Sequence, residues 1–191
     1  MMNEKKFQIL TTAMTMFYQH GIHAVGINEI IKKSGVAKKT MYNHFVSKEA
    51  LIVETLELRS EHFIDWLYTL MESSDVGRDS IICLFEGLND WFNDKVEELG
   101  AFRGCYFTNA SAEYSDENSP IYQACTEHKN HIMVLISTQL AYYLTDSEKI
   151  QQLAEQLCML KEGAINHALV KNDKQAALKA LTAVKILLAD N

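Results

Sequence analysis

A chain of 191 residues, 48% of them hydrophobic, is long enough to bury one sizeable core or a small module leaning on a larger one. One proline and eight glycines punctuate a sequence rich in Leu, Ala, Glu, Lys, Gln and Met, which is the composition of an all-α protein. The formal charge of −7 is uneven: residues 1–50 carry seven Lys against three Glu, and the remainder eleven basic side chains against 22 acidic ones, so only the head is suited to a polyanion.

The opening residues "MMNEKKFQIL" lack the continuous apolar run of a signal peptide, and no later run approaches bilayer length. A cytoplasmic protein with no membrane partner is expected. Phe7, Leu10, Ala13, Met14 and Phe17 recur at helical intervals and predict a first helix that stops at His20-Gly21. Ile27, Ile30 and Ile31 predict a short amphipathic helix closing at Ser34-Gly35, and a second short helix follows with Met41 and Phe45 four residues apart. Two short helices around a tight glycine turn form the helix-turn-helix pattern, whose second helix keeps one buried face and one projecting face.

Ser47 is the predicted N-cap of a long helix that carries Leu51, Thr55, Leu58, Phe63, Trp66, Leu67 and Leu70 and connects head to body. "ESSDVG" at 72–77 breaks it. The next helix holds Ile81, Leu84, Phe85, Leu88, Trp91 and Phe92, and "LGAFRG" at 99–104 is a second break before a short helix from Cys105 to about Tyr114. Ser119 as cap and Pro120 as first helical residue restart the chain in a helix running to about Leu144, after which Thr145 and Glu148 have capping-box spacing. Ile150, Leu153, Leu157, Leu160 and Ala164, then Ala177, Ala180, Leu181, Val184 and Leu187, predict two final helices joined at "KNDK" as a hairpin. About nine helices result.

The stretch "GINEIIKKSGVAKKTMYNHFVSKEALI" resembles the DNA-binding region of the TetR family of transcriptional regulators, with Gly35-Val36, Thr40, Met41-Tyr42, Phe45 and the Ser47 to Leu51 tail in register. The likeness covers residues 7 to about 55, and "RGCYFTNASAEY" at 103–114 is similar to a segment found in one branch of that family. The resemblance implies a helix-turn-helix DNA-binding domain at 1–46 and a helical effector-binding and dimerisation domain at 47–191. It further implies an obligate homodimer, a palindromic double-stranded operator, and release of the DNA when a small molecule binds the body. Three residues depart from the pattern: Ala37 replaces a capping Ser, Lys39 a small residue or Pro, and Val46 a Pro. Loss of the cap costs about 1 kcal/mol, and Lys39 at the groove means that no operator sequence carries over from relatives.

Met41 and Phe45 point inward in this reading, leaving Lys38, Lys39, Tyr42 and Asn43 to face the major groove, where Lys donates to guanine and Asn pairs with adenine. Thr40, Tyr42, His44 and Lys48 are assigned to phosphates, and Asn28 at the start of the preceding helix adds a contact. One head reads too few base pairs, so two are needed. Paired with a two-fold copy, the final hairpin would make a four-helix bundle with Leu153, Leu157, Leu160, Leu181, Val184 and Leu187 inside; the alternative is an intramolecular core made by the same residues.

For the effector, Phe63, Trp66, Leu88, Trp91, Phe107 and Tyr122, with Asn109 and His128 as polar contacts, suit a hydrophobic or aromatic ligand. His128 and His131 have a metal-capable spacing but no third ligand, so neither metal nor cofactor is expected. Cys83, Cys105, Cys125 and Cys158 lack metal-type spacing. Cys105, after Arg103 at a helix N-terminus, supports an alternative reading as a thiol-based redox sensor. No nucleophile with its base, phosphate loop or carboxylate pair points to an enzyme, and a protein-only helical adaptor would not explain the basic head.

Overall fold

Helix ends follow local chemistry. In a computed structural model, which describes residues 3–189, Asn3 Oδ1 accepts the Lys5 amide at 3.0 Å and opens α1 (Glu4–His20). Gly21, at φ 88°, ends it by turning the chain where an L side chain would be strained. Two short helices follow, α2 (Ile27–Ser34) and α3 (Lys38–His44), separated by Gly35 in the left-handed conformation at φ 69°. This is the expected helix-turn-helix, and the Ala37 cap indeed supplies no side-chain bond to α3.

Ser47 Oγ accepts the Ala50 amide at 3.0 Å to cap α4 (Lys48–Glu72), and α5 (Arg78–Phe92) comes next. A single 3-10 turn (Glu97–Leu99) leads to α6 (Tyr106–Glu113). Ser119 Oγ accepts the Tyr122 amide at 3.1 Å and starts α7 (Pro120–Leu140), and the chain closes with α8 (Ser147–Val170) and α9 (Ala176–Ala189). Regular structure is helical throughout the described residues, in agreement with an all-α fold.

Three local expectations are corrected. The seventh helix ends at Leu140 rather than Leu144, because the Tyr142 and Tyr143 amides turn back to the carbonyls of Gln139 and Leu140 in three-residue steps. Asp146, not Thr145, caps α8, its carboxylate accepting the Glu148 and Lys149 amides at 3.0 and 3.2 Å. Phe7 is 45% exposed, and Ile9 takes the inward position beside Leu10, Ala13 and Phe17.

The described residues group into two compact units. One comprises the chain up to Glu61 with Tyr106–His128, and the other His62–Cys105 with the residues from Lys129 onward. In the first, α1 packs on α2 and α3 over Leu10, Ala13, Phe17, Ile30, Met41 and Phe45, all at 2% exposure or less. Each such large side chain withdrawn from water contributes about 1.5–3 kcal/mol. Gln8 Nε2 also donates to the Ser34 carbonyl at 2.9 Å, tying α1 to the end of α2 just before the glycine turn. In the second unit α9 packs against both α5 and α8, with Leu84, Leu88, Leu157 and Val184 fully buried. No helix among the described residues is long and apolar enough to cross a membrane.

Candidate nucleic-acid interface

Packing decides which face of α3 is free. Met41 is fully buried and Phe45 is 2% exposed, with the Lys6 ammonium 5.6 Å from the Phe45 ring centre. Lys38, Lys39, Tyr42 and Asn43 are exposed, as is Asn28 on α2, while Thr40 and His44 are half-buried. Five of the eight side chains assigned to DNA are thus exposed, four of them on α3, where Asn43 lies opposite the anchors and Lys38 sits at the N-terminal end of the anchor side.

Lys48 departs from the expected phosphate contact. Its Nζ donates to the Ile22 carbonyl at 2.6 Å and lies 5.8 Å from the Phe17 ring centre. Burial lowers its pKa, opposed by Glu113 and Glu29. A half-buried ammonium already bonded to the main chain is a strut inside the head. The sequence reading also missed its neighbour Glu113, whose Oε1 and Oε2 accept the Ile22 and His23 amides at 2.8 and 2.6 Å. No local signal could have found that contact, since it spans about ninety residues.

The eight effector candidates fall in both units. In the second, Phe63 sits edge-on to Trp66 and Trp91, with centroids 5.2 and 5.5 Å apart, and Trp91 meets Phe102 edge-on at 4.9 Å. Leu88 is fully buried and Trp66 half-buried. The Trp91 indole N–H is buried and finds no acceptor among the described residues. In the first unit His128 stacks on Phe107 at 3.5 Å and its Nδ1 lies 2.9 Å from Ser60 Oγ, while Asn109 and Tyr122 are half-buried.

A polar cluster surrounds Cys105 in the second unit. Lys129 Nζ lies 3.1 Å from the buried Cys105 sulfur and 2.7 Å from Glu162, which also pairs with the buried Lys161. Burial alone would raise the Glu162 pKa, but the two ammoniums outweigh it and hold the carboxyl at about 2. Burial likewise opposes the charge on Lys129, yet Cys105 and Glu162 keep its pKa above the ordinary lysine value.

The interface expectation divides. Leu153, Leu157, Leu181 and Val184 are buried within their own unit, so they are core and cannot meet a partner. Leu160 and Leu187 instead line an open apolar groove of about 740 Å³ on α8 and α9, with Met159, Gly163, Ala183 and Ile186. The stripe seen in the sequence was the inner edge of a wider apolar surface.

Comparison with known proteins fits both parts of the chain. Residues 9–55 match the family described as "Bacterial regulatory proteins, tetR family", and residues 83–183 match the "Transcriptional regulator LmrA/YxaF-like, C-terminal domain". The chain is 26% identical to the transcriptional repressor NemR of Escherichia coli K12, covering 98% of this chain and 95% of NemR. It is 28% identical to the transcriptional regulator LmrA of Bacillus subtilis, covering 65% of this chain and 64% of LmrA. Among solved structures, a TetR-family regulator from Streptomyces coelicolor superposes with a TM-score of 0.87 at 27% identity, over 98% of this chain and 95% of that one. Reduced Escherichia coli NemR superposes with a TM-score of 0.82 at 25% identity, over 96% of both chains. With an exposed basic surface on α3 and both the N-terminal and C-terminal parts of the sequence matched, the chain belongs to the TetR family and is a ligand-responsive, DNA-binding transcriptional regulator.

Proposed function

We propose that the protein acts in the cytoplasm as a homodimeric repressor, reading a palindromic operator through α3 and leaving it when a small apolar or aromatic molecule binds the body. The observation that carries the reading is the split of α3 into a buried Met41–Phe45 edge and an exposed face of Lys38, Lys39, Tyr42 and Asn43. Such a helix fits the major groove, and the exposed Asn43 and Lys38 are of the residue types that read base edges. The groove on α8 and α9 supports a second copy as its occupant, because two heads are needed to single out one site in a genome. The effector class rests on the Phe63, Trp66 and Trp91 cluster, where the buried indole N–H would donate to a single acceptor on an otherwise apolar molecule.

Binding is tested on a duplex selected from a random library with the native protein, against a scrambled duplex of equal length. Asn43→Ala and Lys38→Ala each lose about 1–3 kcal/mol of discrimination between the two, while affinity for the scrambled duplex holds. Equal losses on both duplexes would reassign these side chains to phosphates.

A second reading, a thiol-responsive regulator, is supported by the Cys105 cluster. Lys129 holds an ammonium 3.1 Å from the sulfur, a kind of neighbour that activates thiols, and Glu162 bridges it to Lys161. On this reading iodoacetamide alkylates Cys105 before the other cysteines, the sulfur forming the S–C bond as iodide leaves. Lys129→Met slows that reaction about tenfold or more at neutral pH, as followed by mass spectrometry of the labelled peptides. Equal labelling of Cys105 in native protein and variant would end the thiolate reading.

A further inference from the structure

The turn between α1 and α2, residues 21–26, carries no helix or strand ladder of its own, yet it fixes how the reading helices leave α1. Its central peptide is gripped from both sides. Glu113, the last residue of α6, places one carboxylate oxygen 2.8 Å from the Ile22 amide and the other 2.6 Å from the His23 amide. Lys48, the first residue of α4, donates to the carbonyl of the same Ile22 at 2.6 Å. Ile22 is 1% exposed, its own amide and carbonyl bonds are part-buried, the His23 amide bond is at the surface, and all three are charge-assisted.

The grip is reinforced around its rim. His23 Nδ1 lies 3.2 Å from Glu113 Oε2, and its ring stacks on Tyr114 with centroids 4.6 Å apart. Glycine is favoured at position 21 by its φ of 88°, and a Cβ there would just touch Glu113 Oε1, at 3.4 Å. The other end of α6 is anchored too: the Tyr106 hydroxyl meets Thr55 Oγ1 on α4 at 3.0 Å, and its ring meets Tyr18 on α1 edge-on at 5.9 Å. The carboxylate is therefore held in place by a helix bonded to two others in the same unit.

We infer that Glu113 and Lys48 are positioning residues for operator binding, which hold the Ile22 peptide so that α2 and α3 are presented in the geometry that reads DNA. The inference rests on α3 being the reading helix. Neither side chain touches a phosphate in this role. Both act through the turn, by raising the fraction of heads already competent to bind, and apparent affinity falls in proportion to that fraction.

The test uses the full chain and the selected duplex described above. Glu113→Gln, which keeps the shape but can accept only one of the two amides, weakens binding about tenfold or more, as expected when about a tenth of heads remain competent. Lys48→Met also weakens binding, and the slope of log affinity against log salt stays at the native value in both variants. A slope reduced by about one unit in Lys48→Met would make Lys48 a phosphate contact and overturn its role. Amide hydrogen exchange supplies a second readout: in native protein the Ile22 and His23 amides exchange far more slowly than the Ala24 amide, and in Glu113→Gln at least one of the two loses that protection. Native Ile22 and His23 amides exchanging as fast as Ala24 would overturn the latch. Loss of protection with unchanged operator affinity would overturn its bearing on DNA binding. Failure of the native chain to select any duplex would remove the reading of α3 and this inference with it, whereas the exchange rates would still report whether the turn is held.

Discussion

Ile186→Glu yields a monomer that has lost specific operator binding while its fold is unchanged. Ile186 is 59% exposed on α9 and Met159 is 65% exposed on α8, both lining the apolar groove with Leu160 and Leu187. In an isolated chain the new carboxylate stays in water and costs little. Seated against a second copy, two symmetry-related carboxylates would be desolvated without partners, a penalty of several kcal/mol each that a dimer cannot absorb. A lone head then keeps only the contacts of one half-site, and affinity falls by about 10³-fold or more toward the non-specific level. Sedimentation, a thermal melt and DNA titration read the three parts separately. A native melt with an undisturbed dimer would move the interface off this groove. Leu157→Glu and Leu181→Glu are expected to behave differently, by unfolding the chain, since those leucines are 0% and 5% exposed within their own unit.

Trp91→Ala destabilises the protein by about 3–5 kcal/mol, a large share of the roughly 5–15 kcal/mol that holds a domain together. The indole is 2% exposed and contacts Phe63, Phe92 and Phe102 with ring centroids 5.5, 5.9 and 4.9 Å apart, so truncation removes a large buried surface and three aromatic contacts at once. This alters the use of the residue as a probe of induction. Trp91→Phe is the informative change: it keeps most of the packing and deletes the unpartnered indole N–H, so operator binding persists while response to an inducer bearing an acceptor weakens. Urea denaturation with the linear extrapolation decides the stability claim, and a Trp91→Ala unfolding free energy within about 1 kcal/mol of native would show that the cluster collapses around the loss.

Local features were legible because they depend on neighbours within one turn of helix. The periodicity of Leu10, Ala13 and Phe17, the glycine stops at Gly21 and Gly35, the Ser47 and Ser119 caps and the opposed faces of α3 all follow from 3.6-residue geometry and the need to satisfy orphan amides. So did the exposure of Lys39 and Asn43, which the Met41 and Phe45 spacing turns away from the core. The competition between Thr145 and Asp146 for the α8 cap was also local, but spacing alone could not weigh a hydroxyl against a carboxylate.

What lay beyond reach was set by chain segments that are distant in sequence. An apolar stripe on α8 announces that something covers it, but not whether the cover is α9 of the same chain or a second copy. Leu157 is spent internally, whereas Leu160, three residues on, lines the open groove. A lysine at the start of α4 looks free for phosphate until the fold brings the Ile22 carbonyl to 2.6 Å. Cys105, Lys129 and Glu162 make a charged cluster only once three separate segments meet. Burial and charge pairing are properties of a side chain's surroundings, and in a helical protein most of those surroundings come from other helices, which a one-dimensional pattern does not order.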